Sequence, residues 1–168
     1  MGLIERREDG PAAIDDRFTR VGDEDALPAT GAVIVSLDRF ESERDALLSR
    51  DGELGVWLAS DQPPAVLADV LDRLALVACD FPAFNDGRAF SYARLLRERY
   101  RYTGEIRAIG EVLLEQIPFM VRSGFSHFET DDPKFLDEFK RVCEEVRVVY
   151  QPTGDGRTTA LQRRLGRD

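Results

Sequence analysis

The chain is poor in the residues that most often carry covalent or redox chemistry. In 168 residues it has one histidine, His127, and two cysteines, Cys79 and Cys143. The cysteines stand far apart, without CxxC or Cys/His spacing, so no metal site is predicted. Two thiols also fall short of the usual four ligands of an iron–sulfur cluster. Both read as small core residues in a reducing compartment. His127 has no nucleophile motif beside it and reads as structural. GxSxG, Walker, GxGxxG and HExxH patterns are all missing. Triad hydrolysis, nucleotide hydrolysis, dinucleotide binding and zinc catalysis therefore lack support, and the cofactor is left unknown. No apolar run approaches the ~18–20 residues of a membrane span, and Met1–Gly10 lacks the apolar core of a signal peptide. A cytoplasmic protein that does not enter membranes is expected.

The net charge of −9 argues against a general nucleic-acid binder. Its distribution is uneven. Residues 1–30 hold eight acids against four arginines, whereas residues 88–107 hold six arginines against Glu98 and Glu105. A basic patch on an acidic chain suggests a small anion or an acidic partner surface. A solvated helix face is the competing reading.

Hydrophobic patterning alternates between strands and helices. Residues 1–30 show little periodicity and read as an extended leader, with Ile14 and Phe18 as its candidates for docking. Strands are predicted at Ala32–Val35, Gly55–Ala59, Ala75–Cys79, Gly104–Gly110, Phe125–Glu129 and Val146–Tyr150. Between them lie expected helices over Asp38–Ser49, from Pro63–Pro64 to Leu74, over Ser91–Tyr100, from near Leu114 to Gly124, and over Pro133–Glu145. Residues 151–168 read as a polar tail with a short helix near Ala160–Leu165. Repeated strand–helix units imply an α/β domain over residues 31–150 with a mostly parallel sheet, either an open three-layer sheet or a partial (β/α) barrel.

Ligands of parallel α/β folds sit beyond the C-terminal ends of the strands. Asp61, the loop Asp80–Arg88, Glu111 and the stretch Glu129–Asp132 hold such positions. The loop after the third expected strand is the richest. Asp80, Asp86 and Glu111 are candidate acids or bases. Arg88 supplies a fork for an oxyanion, and Ser91 is a candidate N-cap at a helix start that could hold it. Asp86 or Ser91 capping the helix while Arg88 pairs with a carboxylate explains the same residues without a ligand. Gln116, on an apolar helix face, is a second candidate for orienting an anion or for tying loops. Arg107 shares a strand face with Ile109. An arginine inside a sheet layer implies an internal pair, with Asp80, Asp86 and Glu111 as candidate partners, and a possible anion contact. Helical spacing puts Arg94, Arg97 and Arg101 together on a face suited to partner docking, while Tyr92, Leu95, Leu96 and Arg99 share another.

These residues also carry a resemblance. The run Phe81-Pro-x-Phe84-x-Asp86-Gly87-Arg88-x-Phe90-Ser91-x-Ala93-Arg94-x-Leu96-Arg97-x-Arg99, then Gly104-Glu-x-Arg107-Ala-x-Gly110, then Arg122-x-Gly124-Phe125, resembles domain-of-unknown-function family 934. The likeness covers roughly Val33 to Glu129. In the family pattern a cysteine often stands where this chain has Ser123, and an aspartate where it has Glu111. The resemblance implies a bacterial protein encoded beside assimilatory sulfite reductase, of a family labelled as probable oxidoreductases. The expected role is that of an accessory protein of sulfite reduction in cysteine biosynthesis, holding an oxyanion or docking to sulfite reductase or another sulfur-assimilation enzyme. A small phosphate- or sulfonate-binding enzyme and a non-catalytic docking scaffold are the alternatives.

Overall fold

The computed structural model describes residues 2–145, 149–150, 152–153 and 157–166. Eight strands form one sheet: β1 (Gly2–Arg7), β2 (Gly10–Ile14), β3 (Phe18–Arg20), β4 (Ala32–Ser36), β5 (Leu54–Leu58), β6 (Leu76–Phe81), β7 (Glu105–Gly110) and β8 (His127–Thr130). Their order is β2-β1-β8-β7-β6-β5-β4-β3. Strands β3 to β8 run parallel, and β1 and β2 add an antiparallel hairpin beside β8.

The curl of the sheet follows from the chain itself. The two edge strands, β2 and β3, are joined by only Asp15, Asp16 and Arg17. From Ile14 to Phe18 the backbone reaches at most about 15 Å. Seven strand spacings in a flat sheet would separate those edges by roughly 34 Å. The sheet therefore bends into a half-barrel, and residues 15–17 cross its open side.

Each face then has its own contents. On the convex face, Val33, Val35, Val56, Leu58, Val77, Cys79, Ile106, Ala108 and Phe128 pack beneath the helices as the main core. The concave face holds a smaller cluster of Phe18, Ile34, Leu76, Ala78 and Ile109, flanked by Trp57.

The α/β class and the mostly parallel sheet are as the sequence predicts, and the barrel-like form is the one adopted. Several elements differ. Residues 1–30, expected as a leader, supply β1–β3, because Leu3, Ile4 and Phe18 have buried places waiting in the sheet. The first helix divides at Glu43 into α1 (Leu37–Ser42), N-capped by Ser36, and α2 (Arg44–Ser49). The expected helix to Leu74 is instead two 3₁₀ turns, Pro64–Leu67 and Leu71–Arg73. Its buried residues Pro64, Leu67 and Val70 recur every three positions, the 3₁₀ repeat, and Val66 is exposed.

Further helices are α3 (Arg88–Arg94), continued by a π-helical turn over Leu95–Arg99, then α4 (Ile117–Ser123), α5 (Phe135–Glu145) and α6 (Ala160–Arg164). A 3₁₀ turn at Leu114–Gln116 precedes α4, so Pro118 falls in its first turn, and Gly124 ends it at φ 113°. The expected strand Val146–Tyr150 lies mostly outside the described residues. Of it, Val149 forms an isolated parallel bridge with Thr159, the residue that caps α6.

A chain lacking residues 1–20 is expected to lose its cooperative urea transition followed by circular dichroism, since both sheet edges and the concave core would open. An unchanged midpoint would contradict this account of the curl.

Candidate functional site

The C-terminal ends of the parallel strands form a polar rim. At the end of β6, Asp80 lies half-buried on the concave side, its carboxylate against Gly110 at the end of β7. Burial pushes its carboxyl upward, Arg20 pulls it down, and Asp86 pushes it further up. The β6–α3 loop then folds back on itself. Arg88 donates from Nε to Asp86 Oδ1 at 3.0 Å and from Nη2 to Asp86 Oδ2 at 2.6 Å. It also donates to Ser60 Oγ, after β5, at 2.8 Å. The Arg88 guanidinium beside Asp86 holds that carboxyl far below its ordinary value. Tyr92, one turn on, donates to the Ser60 carbonyl at 2.7 Å. Gln116 donates from Nε2 to the Phe84 carbonyl at 3.2 Å, linking the β6–α3 loop to the start of α4. Its Oε1 is buried without a partner among the described residues. Glu111 is exposed, and its backbone N–H donates to the Phe81 carbonyl at 2.7 Å.

The rim therefore brings together Asp80, Asp86 and Arg88, with Ser60 and Tyr92 as neighbours that no local sequence pattern marks. Ser91 is not the N-cap. It lies inside α3, whose N-cap position is Gly87, because the helix starts three residues earlier than expected. The helix can start there because Asp86 turns back to accept from the Arg88 N–H at 3.2 Å.

Arg107 belongs elsewhere. It is fully buried in the middle of β7 on the concave face. Its guanidinium clasps Asp16 through Nη1 at 2.6 Å and Nη2 at 2.9 Å, donates from Nε to Glu105 at 2.7 Å and from Nη1 to Glu129 at 3.2 Å. Asp80, Asp86 and Glu111 are not its partners, since they stand at the strand ends, beyond the level of Arg107. The fork is taken up by three carboxylates of the chain and is not open to an external anion. Arg20 extends the network by donating to both Glu129 oxygens, at 3.0 and 3.1 Å. Arg17 bridges Glu53 at 2.7 Å and Glu105 at 3.4 Å. Burial opposes the charge on Arg107, and the bonds from Asp16 and Glu105 overcome it. On Glu105 burial wins and raises the carboxyl. A cavity of about 430 Å³ opens beside this network between Gly2, Ile14, Asp16, Arg20, Ile34 and Glu129.

His127 packs against the same cluster. Its Nδ1 lies 2.9 Å from Ser126 Oγ and its Nε2 3.7 Å from Glu105. Burial lowers it to about 4, so the ring is neutral at pH 7. Phe125, expected on its strand face, precedes the strand and joins the convex core. Burial pushes the Cys79 thiol up to about 12, which removes it as a thiolate nucleophile.

The arginines expected on one docking face separate. Arg94 is exposed and pairs with Glu98 at 2.9 Å. Arg97 turns inward and donates from Nε to the Gly124 carbonyl at 3.1 Å, and from Nη1 to those of Tyr102 at 2.7 Å and Gly104 at 2.8 Å. Arg101 is exposed, past the helix, at φ 55°. The π-helical turn over Leu95–Arg99 is the cause, because it carries more residues than an α turn and rotates the later positions away.

Among the described residues no group of three histidine, cysteine, aspartate or glutamate side chains is placed to hold a metal ion. No helix among them is long and apolar enough to cross a membrane.

The fold is a β/α half-barrel with its rim formed by the loops after β5, β6 and β7. A model of a bacterial protein family of unknown function, DUF934, matches residues 55–161, and the chain belongs to that family. The match runs from β5 through the rim loops to α6. No curated protein matches the chain.

The concave network can be tested at two positions. Arg107→Leu would leave buried Glu105 and Glu129 with only the half-exposed Arg17 and Arg20 as cations, and is expected to cost about 3 kcal/mol in urea unfolding at pH 7. His127 has a depressed value when folded, so the unfolded chain takes up its proton first as pH falls. Its contribution is complete above about pH 6.5 and is lost progressively down to about pH 4. Glu105, raised in the folded chain, titrates in the opposite sense. The comparison is therefore between wild type and His127→Asn, whose stability should fall less over that window, by up to about 3 kcal/mol.

Proposed function

We propose that the protein is an accessory component of assimilatory sulfite reduction that works by docking its C-terminal rim to the reductase machinery. The reading is carried by two exposed aromatic side chains on that rim. Phe84 in the β6–α3 loop is 56% exposed and Phe119 in the first turn of α4 is 67% exposed. The Gln116–Phe84 bond ties their two segments together, and Arg88 stands half-exposed in the same loop. Aromatic rings and arginine are the side chains that dominate protein–protein hot spots.

The state of Cys79 and His127 supports an accessory role over one in which either of them carries redox chemistry. Cys79 and His127 are buried and held uncharged. An anion-binding enzyme at Arg88 is less well supported, because Asp86 already occupies its fork.

Deletion of the gene is expected to slow growth on sulfate or sulfite and to spare growth on cysteine. The tagged protein should co-purify a sulfur-assimilation enzyme from sulfate-grown cells, and Phe84→Asp with Arg88→Glu should lose it while keeping the wild-type melting temperature. Normal growth on sulfate after deletion would overturn the proposal.

A further inference from the structure

A second site lies inside the half-barrel, at the mouth of its concave side. The cavity of about 430 Å³ beside the Arg107 network opens there. Its walls place it at the C-terminal ends of the parallel strands. Arg20 is the last residue of β3, Glu129 stands next to the last residue of β8, and Gly2 pairs with Thr130, which ends β8. Parallel β/α folds bind small molecules at this end. The volume falls within the range of small-molecule sites.

Three kinds of surface meet in the cavity. Leu3, Ile14 and Ile34 give it an apolar wall, Arg20 a cation, and Asp15 and Glu129 carboxylates. The charged groups keep bonding capacity. Arg20 is half-exposed and spends Nη2 on the two Glu129 oxygens, which leaves its Nε and Nη1 without partners among the described residues. Glu129 Oε2 accepts from Arg20, while the bond from Arg107 goes to Oε1. Asp15 is exposed, and its carboxylate has no partner among the described residues. Arg20 is nevertheless held in place. Its partner Glu129 is buried and is gripped in turn by Arg107, which is fully buried in β7. A donor fixed through a buried partner has less freedom to lose on binding a ligand.

The mixture of charges selects the ligand. A simple anion at Arg20 would face Asp15, Asp16 and Glu129, and the charge of Asp80, which also acts on Arg20, would add to the repulsion. A simple organic cation would face Arg20. Each brings like charges together, which is how sites reject ligands. A small zwitterion avoids both penalties. We propose that the mouth of the half-barrel binds an α-amino acid with an apolar side chain, its carboxylate on Arg20, its ammonium on Asp15 and Glu129, and its side chain against Leu3, Ile14 and Ile34. Charge-assisted bonds at both ends of the ligand are the strong ones. The inference does not rest on docking by the rim.

The test is calorimetric titration of the full chain with L-leucine, L-valine and L-methionine in turn, on wild type, Asp15→Asn and Arg20→Gln. Each amino acid is compared with its analogue lacking the ammonium and its analogue lacking the carboxylate, isocaproate and isoamylamine in the case of leucine. Saturable binding of at least one amino acid is expected. Both of its truncated analogues should bind at least about tenfold more weakly, the effect of removing a charge-assisted hydrogen bond. Asp15→Asn should weaken binding about tenfold for the same reason, and Arg20→Gln by at least as much. Asp15 is exposed and outside the strands, so Asp15→Asn reads binding even if Arg20→Gln fails to fold. No saturable binding in the millimolar range, equal affinity for either truncated analogue, or wild-type affinity in Asp15→Asn would each overturn the proposal.

Discussion

The clasp between Asp16 and Arg107 sets the shape of the molecule. Arg107 sits in the middle of β7, where a charge can be tolerated only if carboxylates reach it. Glu105 and Glu129 come from the same sheet, but Asp16 comes from the short segment that joins the two sheet edges. Arg20, on the far edge strand, returns the connection by gripping Glu129 on β8. Ion pairs thus cross the concave side, where no backbone pairing joins β2 to β3 among the described residues. The curl follows from chain length, and these pairs fix how far it goes.

Curling sorts the surface into two ends. At the C-terminal rim Arg88 is satisfied within the chain by Asp86 and Ser60, and the Phe84 and Phe119 rings stand in water. At the opposite end Arg97 is held by three backbone carbonyls. The π-helical turn connects the two arrangements. It lets one helix keep Tyr92 at the rim and still turn Arg97 inward at the far end.

Much of the architecture is legible from residue order. The β-branched and apolar runs of β4 to β7, the turn residues between them and the Pro118–Gly124 limits of α4 carry local signals that the fold obeys. What is not legible depends on distant partners. The apolar residues of β1 to β3 are too few to show alternation, so only the β8 edge and the β4 edge make strands of them. Asp16 is one acid among eight in residues 1–30, with nothing local to mark it as the partner of an arginine ninety-one positions later. At the rim, Asp86 and Arg88 are visible because turn and cap chemistry is local, whereas Ser60 joins them from another loop. Arg97 reads as solvent-facing only under α-helical spacing, which the π-helical turn breaks.

The hairpin formed by β1 and β2 has a consequence for how the chain is made. Residues 2–7 leave the ribosome well before their sheet partner, residues 127–130. Until then the hairpin has only itself, and an isolated two-stranded hairpin is marginally stable. The parallel strands β4 to β7 can associate in order as they appear, since each pairs with its predecessor. These strands are therefore made before β4 to β8 but fastened only once β8 is made, and nascent chains must keep an acidic, weakly structured segment in solution while the parallel strands assemble.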